Sequence, residues 1–477
     1  MALNSLTYLG FLLVVVIAYW LLPVVLRRSL VMAASLAFYS SWNAIFLWVP
    51  LIVAGVVFVC GKYIQANPTA PRKWLLTGIG ILLTLFVLFK YRLFVATNLG
   101  YFGVPLSRGP FSLASSLVFP MGISFYTLEA IAYLVDVRQV RVRIPSFVDL
   151  CLFFFFWPNI LSGPIVRARE LMPQLRFEKI FEPRFIFEGC DRIVWGLVQK
   201  NVIANMLGIW VDRGFASQPV GTFSTVDGWF LAIAFGLQVY FDFAGYTNLA
   251  IGTARLIGIM LPENFRHPYH AASPADFWSR WHITLSRWIR DYLFFPMNAK
   301  WKGAPLPLYL SLVGAMALVG LWHGAEWGFL LWGTMHGVYL AVYRLYESWR
   351  RGDSPAKGSH LSAGLWRVVT LVAVTTAWVP FRALSLAQAG SILGSMFSRF
   401  TWRLEYSGLF YGITVAVALF AAVEPLVMRA LAEVDEEAAA AGLSMFRIIV
   451  RPVAYLFGLM LFLLFDQNYS QFIYSQF

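Results

Sequence analysis

The chain has 477 residues, 59% of them hydrophobic and only 13% charged, with a mean hydropathy of +0.68, whereas soluble domains carry about 25% charged residues. This composition excludes a soluble globular enzyme and indicates a polytopic membrane protein. The formal charge of +13 has an ordinary reading in basic cytoplasmic loops that meet anionic headgroups. An anionic substrate would fit it as well; nucleic acid would not.

Apolar runs near the ~18 to 20 residues needed to cross a bilayer recur at 6–26, 44–60, 74–89, 229–245, 308–321, 366–379, 409–427 and 450–465. Weaker segments lie at 29–41, 111–134, 147–162 and 190–211. Roughly ten to twelve spans are expected, with interfacial and re-entrant helices between them. The first run lacks a basic leader and continues into further membrane segments, so it reads as a retained helix. Arg27 and Arg28 follow it directly, which favours an N-terminus outside the cytoplasm. Cys60, Cys151 and Cys190 show no pairing or ligand spacing and read as small packing residues.

Polar interruptions carry the chemistry. In "NILSGPIVRARELMPQL", Gly163 and Pro164 break a membrane segment just before Arg167 and Arg169. The break is either a re-entrant element lining a cavity or an ordinary exit loop. In "QVYFDFAGYTNLAIG", Asp242 sits inside an apolar aromatic run. A buried carboxylate needs a cationic partner, and Arg290 or another interfacial arginine is the candidate.

In "SPADFW", Ser273, Pro274 and Asp276 form a helix-start signature. The spacing predicts one amphipathic interfacial helix onward through Tyr292. Phe277, Trp281, Leu285, Trp288 and Tyr292 form its aromatic face, opposite Arg280, Arg287 and Asp291. His282 and Ser286, four residues apart, then share a face near the apolar one. A lone histidine there is commonly a hydrogen-bonded structural residue, so its neighbours decide.

In "GLWHGAEWGFLLWGTMHGVYL", His323 follows an uncharged span, where an ionisable group marks function by default. His282 and His323 come from different helices and could converge. His336, if it continued the His323 helix, would lie about 20 Å further along and on nearly the opposite side; a packing role fits it. Only His267 and His270, in "RHPYH", approach metal-ligand spacing. They read as headgroup or loop contacts, and no metal site is expected. "RRGDSPAKGSH", with His360, is a linker, and "RALAEVDEEAAAAGLSMFR" a solvated acidic helix or loop.

General acid–base chemistry needs a group that can take and return a proton near neutral pH. A neutral His323 in an apolar site suits the base. His282, or polar groups beside it, could orient a substrate or polarise a carbonyl on it. Supporting positions are Arg287, Arg290, Ser286, Asp242 and Trp322. The two arginines either meet donor phosphates or snorkel to headgroups, and Trp322 packs.

"WPNILSGPIVRARELMPQL", "QVYFDFAGYTNLAIGTARLIGIMLPENFRHPY", "DFWSRWHITLSRWIRDYLFFPM", "GLWHGAEWGFLLWGTMHG" and the closing "QFIYSQF" resemble, in order and spacing, the bacterial membrane-bound O-acyltransferase (MBOAT) family. The branch is the one that O-acetylates alginate and other polysaccharides. The resemblance spans the chain and implies an all-α MBOAT fold in one integral-membrane domain, 1–477. Within it, 1–145 would be N-terminal helices, 146–345 the core with both histidines, and 346–477 C-terminal helices. It further implies a core thin across the bilayer, with a cytoplasmic donor funnel meeting an extracytoplasmic acceptor cavity. His323 corresponds to the family's catalytic histidine in "WHG", and His282 to a second position that elsewhere can be asparagine or aspartate.

The expected enzyme is a multi-pass protein of the bacterial cytoplasmic (inner) membrane with no permanently bound cofactor. It would move acetyl from acetyl-CoA toward hydroxyls of an extracytoplasmic polysaccharide. Its partners would be membrane lipids and an extracytoplasmic SGNH-hydrolase-like acetyltransferase, since this chain carries no Gly-x-Ser-x-Gly elbow. The alternatives are D-alanyl transfer toward teichoic acid from a carrier-protein thioester, and a glycan or lipid transporter.

Overall fold

The structure, a computed structural model, describes residues 1–67, 69–101, 120–216, 223–299, 305–352, 360–398, 401–440 and 450–465. Its regular elements are all helical. Six helices among the described residues are long and apolar enough to cross a membrane: Val24–Ala66, Pro71–Lys90, Thr225–Leu256, Leu306–His323, Gly364–Arg382 and Gly408–Val427. Leu6–Leu21, Leu386–Phe397 and Arg451–Phe465 are apolar but shorter. The 43 residues of Val24–Ala66 are interrupted by a 3-10 turn at Ala44–Leu47. At 1.5 Å per residue they extend about twice the ~30 Å of a bilayer's hydrocarbon core. Of the expected segment 111–134, the part before Pro120 lies outside the described residues, and the rest forms the helix Ile123–Arg138. The closing "QFIYSQF" also lies outside them.

By proximity the chain groups into two units, Met1–Ile193 with Tyr246–Pro262, and Val194–Gly245 with Glu263–Phe477. In the first, the helix Phe147–Phe155 starts from a capping box in which Ser146 and Asp149 satisfy each other's backbone N–H groups. It stops well short of the expected 162: residues 156–167 are non-helical and buried throughout. Buried irregular backbone needs side-chain partners. Oε1 of Glu129 accepts from Asn159 Nδ2 at 2.9 Å and from the Val166 N–H at 3.1 Å. The Gly163–Pro164 break is therefore a buried broken element, not an exposed exit loop.

Thr225–Leu256 differs from the other spans. Of its most apolar window 83% is buried, against 28–44% for the others, so it is surrounded by protein rather than lipid. That setting explains how it carries Gln238, Asp242, Thr247, Asn248 and Thr253 as buried residues. In the second unit this helix supplies Phe243 to the site.

Candidate active site

The second unit builds the site from three pieces of chain. The first is the helix Pro274–Arg280, which starts as its sequence predicts: Ser273 Oγ accepts from the Asp276 N–H at 3.1 Å and Pro274 occupies the first position. The Asp276 carboxylate accepts from the Ala272 N–H at 2.9 Å and from Arg280 Nε at 2.8 Å.

The expected continuous helix does not form. Helix geometry ends at Arg280, Trp281 is extended (φ −100°, ψ 128°), and His282 adopts a left-handed conformation (φ 42°, ψ 55°) before a second helix, Ile283–Ile289, begins. A π-helical turn, Arg290–Phe294, comes next. Consecutive positions on an α-helix diverge by about 100°, yet Trp281 and His282 are both fully buried. The break lets both side chains enter the core. A left-handed non-glycine residue costs roughly 1–3 kcal/mol and persists only where its surroundings hold it.

Asn264 does the holding. Its backbone carbonyl accepts from the Ile283 N–H at 2.9 Å. Its side-chain oxygen accepts from the Thr284 N–H at 3.2 Å and Thr284 Oγ1 at 2.9 Å, and lies 3.0 Å from His282 Nδ1. On the other side of the break the Arg266 N–H donates to the Arg280 carbonyl at 2.9 Å.

The break re-aims several expected site residues. The Ser286 N–H donates to the His282 carbonyl at 2.9 Å, and its hydroxyl donates to the Trp281 carbonyl at 3.1 Å. Phe277, Trp281 and Leu285 are buried as the aromatic face requires, but Trp288 and Tyr292 are only half-buried. Arg287 and Arg290 are exposed, and Arg290 pairs with neighbouring Asp291 at 2.8 Å.

The third piece carries His323. Pro305–His323 ends at that histidine, the chain turns over Gly324–Glu326, and Trp327–Gly352 runs back. Glycines set the closeness of this pair. A Cβ on Gly320 would lie 2.1 Å from the Phe329 carbonyl oxygen, and one on Gly333 would lie 2.2 Å from that of Met316. The close approach presses the His323 ring against Trp332 (5.0 Å between centroids), with Trp322 at 4.9 Å and Phe381 at 5.6 Å.

The two histidines converge: their ring centroids are 6.5 Å apart at an interplanar angle of 57°. Both are buried, at 0% and 2% exposure. His282 also meets Phe243 edge-on at 4.8 Å and Trp322 at 6.3 Å. His336 belongs to the returning helix rather than the His323 helix, and packs at 5.0 Å from Trp332 and 5.1 Å from Trp278.

One expectation about charged groups changes. Asp242 is paired with Lys200, not Arg290; the ammonium donates to its Oδ1, and both side chains are almost wholly buried. Lys200 lies in a π-helical turn, Val198–Ala204, whose wider coil re-aims side chains from an otherwise α-helical segment. His267 and His270 both contact protein groups. Nδ1 of His267 is 3.2 Å from the buried Glu424 carboxylate, and Nε2 of His270 is 3.1 Å from the Ala421 carbonyl.

Chemically this is an apolar, aromatic-walled site with two imidazoles. Burial pushes the His282 imidazole down to about 3, so it is neutral at physiological pH. A neutral imidazole can take a proton from a hydroxyl and, as the imidazolium so formed, return it to a leaving group. Among the described residues no three His, Cys, Asp or Glu side chains group closely enough to hold a metal ion.

Apolar helices long enough to cross a membrane, and a buried pair of histidines in the second unit, define an integral-membrane protein with a site suited to acid–base chemistry. Comparison with known proteins makes that class specific. The model of the MBOAT, membrane-bound O-acyltransferase family, matches residues 35–379, and the chain belongs to this family. It is 36% identical over 388 residues to the "Probable alginate O-acetylase AlgI" of Pseudomonas aeruginosa, covering 80% of this chain and 71% of that one. To the "Peptidoglycan O-acetyltransferase" of Helicobacter pylori it is 34% identical, covering 76% and 72%. To the "Teichoic acid D-alanyltransferase" of Bacillus subtilis it is 29% identical, covering 56% and 68%. The protein is a multi-pass membrane acyltransferase, which sets the transporter alternative aside.

Sequence reasoning missed Asn264 and Lys200. Asn264 stands in "PENFRHPY" among loop signals and has no periodicity to mark it. Lys200 had a signal: a lysine inside a weak span, 190–211, is the natural counter-charge for an aspartate inside another.

Proposed function

We propose that the protein transfers acetyl from acetyl-CoA, on the cytoplasmic side of the bacterial inner membrane, toward hydroxyls of an extracytoplasmic polysaccharide. The observation that carries the chemistry is the pair of buried imidazoles, 6.5 Å apart, brought together from separate helices. The choice of acetyl and of a polysaccharide is supported by the names of the relatives that match over most of this chain. In the transfer, His323 takes the hydroxyl proton, the oxygen attacks the thioester carbonyl, the C–S bond breaks, and the thiolate of coenzyme A receives the proton. An extracytoplasmic SGNH-hydrolase-like acetyltransferase, through its serine hydroxyl, is the proposed relay to the sugar. Arg287 and Arg290, both exposed, are proposed to meet the phosphates of coenzyme A.

A second reading, D-alanyl transfer from a carrier-protein thioester, has one supporting observation, the resemblance to the teichoic acid D-alanyltransferase. One experiment separates the two. Purified protein in nanodiscs is given radiolabelled acetyl-CoA with membrane extract as a source of acceptor and partner, and wild type is compared with His323→Ala. Release or transfer of label by wild type, lost in a folded His323→Ala, is the expected result. No turnover of acetyl-CoA by wild type, with turnover of a D-alanyl carrier thioester, would overturn the acetyl reading in favour of the second.

A further inference from the structure

Neutral histidine exists as two tautomers, and which nitrogen carries the proton decides whether the other donates or accepts. The structure settles this for His282 through a third residue. An asparagine side chain can ordinarily be turned by 180°, exchanging its oxygen and its NH2 group. Here the Thr284 backbone N–H, which can only donate, lies 3.2 Å from the atom assigned as Oδ1 of Asn264. That atom must therefore be the oxygen, since an NH2 group there would set donor against donor in a buried site. The same oxygen is 3.0 Å from Nδ1 of His282. An amide oxygen only accepts, so Nδ1 carries the proton and Nε2 keeps its lone pair.

We infer that Asn264 is a positioning residue for acyl transfer: it locks His282 as the Nδ1–H tautomer, so that Nε2 is presented to the reacting centre as a hydrogen-bond acceptor. This rests on the acyl-transfer reading of the site. It corrects the sequence-based expectation that His282 could polarise the thioester carbonyl, because a neutral Nε2 bearing a lone pair cannot donate to a carbonyl oxygen. Carbonyl polarisation falls to other donors.

Three features of the geometry point the same way. Asn264 also grips the two residues that follow His282, by its backbone carbonyl to Ile283 and its side chain to Thr284. His282 is held in a left-handed conformation that its neighbours must stabilise. Asn264 itself is fully buried, so water does not compete for the amide oxygen. A partner that orients a reacting imidazole this way is worth about 10–100-fold in metal sites, and a loss in that range is expected here.

The test has a spectroscopic arm and a kinetic arm. Protein labelled with 15N-histidine is reconstituted in nanodiscs, and the His282 resonances are assigned by their disappearance in His282→Gln. The expected spectrum has a protonated Nδ1 and an unprotonated Nε2 at neutral pH; a protonated Nε2 overturns the inference. In the kinetic arm, Asn264→Leu preserves bulk but removes the acceptor, and is expected to lower kcat for acetyl-CoA about 10–100-fold with little change in KM. An unchanged kcat overturns the positioning role. Should Asn264→Leu fail to fold, Asn264→Asp keeps an acceptor oxygen in place. Its negative charge should raise the imidazole's proton affinity and shift the acid limb of the pH–rate profile upward; an unshifted limb counts against the inference. Its failure is distinguishable from that of the acetyl reading: a protonated Nε2 in an enzyme that turns over acetyl-CoA removes this inference alone. An Nδ1–H His282 in a protein inert toward acetyl-CoA removes the donor alone.

Discussion

His282 and His323 lie with ring centroids 6.5 Å apart, one at a left-handed break between two short helices and the other at the last residue of a membrane-crossing helix. Two imidazoles at this distance can serve one reacting centre. His323→Ala and His282→Ala should each lower acyl transfer by roughly 10²–10⁴, and the double variant should be little worse than the poorer single. Steady-state rates of the three variants check this; fully multiplicative losses would mean that the two rings act in separate steps.

The Lys200–Asp242 pair is almost completely buried, so breaking it strands a charge. Lys200→Met is expected to destabilise the protein by about 3–5 kcal/mol. The double variant Lys200→Met/Asp242→Leu should recover much of that loss. Thermal unfolding in detergent reads both; a double variant as unstable as Lys200→Met would show that the aspartate's charge is not the cause.

Gly333 can carry no Cβ without moving a helix, since the atom would sit 2.2 Å from the Met316 carbonyl oxygen, whereas a Cβ on Gly390 meets nothing within 4 Å. Gly333→Ala should push the two helices apart, shift His323 against Trp332 and cut activity at least about tenfold, given how steeply rate depends on ~1 Å of misplacement. Gly390→Ala should leave activity unchanged and raise stability by up to about 1 kcal/mol. Equal activity of the two variants would remove the close approach from the account.

The His282 imidazole, pushed by burial from 6.5 to about 3, makes stability depend on pH in a definite direction. Between these values the unfolded chain binds a proton that the folded protein does not, so stability is retained above pH 6.5 and falls as the pH drops toward 3. The contribution approaches about 1.4 kcal/mol per pH unit. The difference in unfolding free energy between wild type and His282→Gln should therefore shrink steadily from pH 6.5 downward. A difference independent of pH would mean that the histidine titrates normally.

Much of this was legible in the chain. A composition of 59% hydrophobic and 13% charged residues dictates membrane helices, because a backbone in hydrocarbon must satisfy its own hydrogen bonds. The start signal at Ser273–Asp276 is local and acted as local chemistry predicts. His323 at the end of an uncharged helix was marked by the cost of an ionisable group there.

What the sequence by itself determined, then, was the class of fold and the two imidazoles, because hydrophobic burial and the scarcity of polar groups in apolar runs are properties of composition and spacing. Only the tertiary structure decided how His282 is presented. A period of 3.6 residues would turn Trp281 and His282 about 100° apart, and the helix breaks between them where Asn264, 18 residues earlier in the chain, offers the backbone and side-chain acceptors that stabilise the break. The partner of Asp242 was settled in the same way. Arg290 had an adjacent carboxylate and an exposed position, while Lys200, aimed by its π-helical turn, was the cation that folding buried beside it. Long-range pairing depends on which helices meet, and no local pattern encodes that.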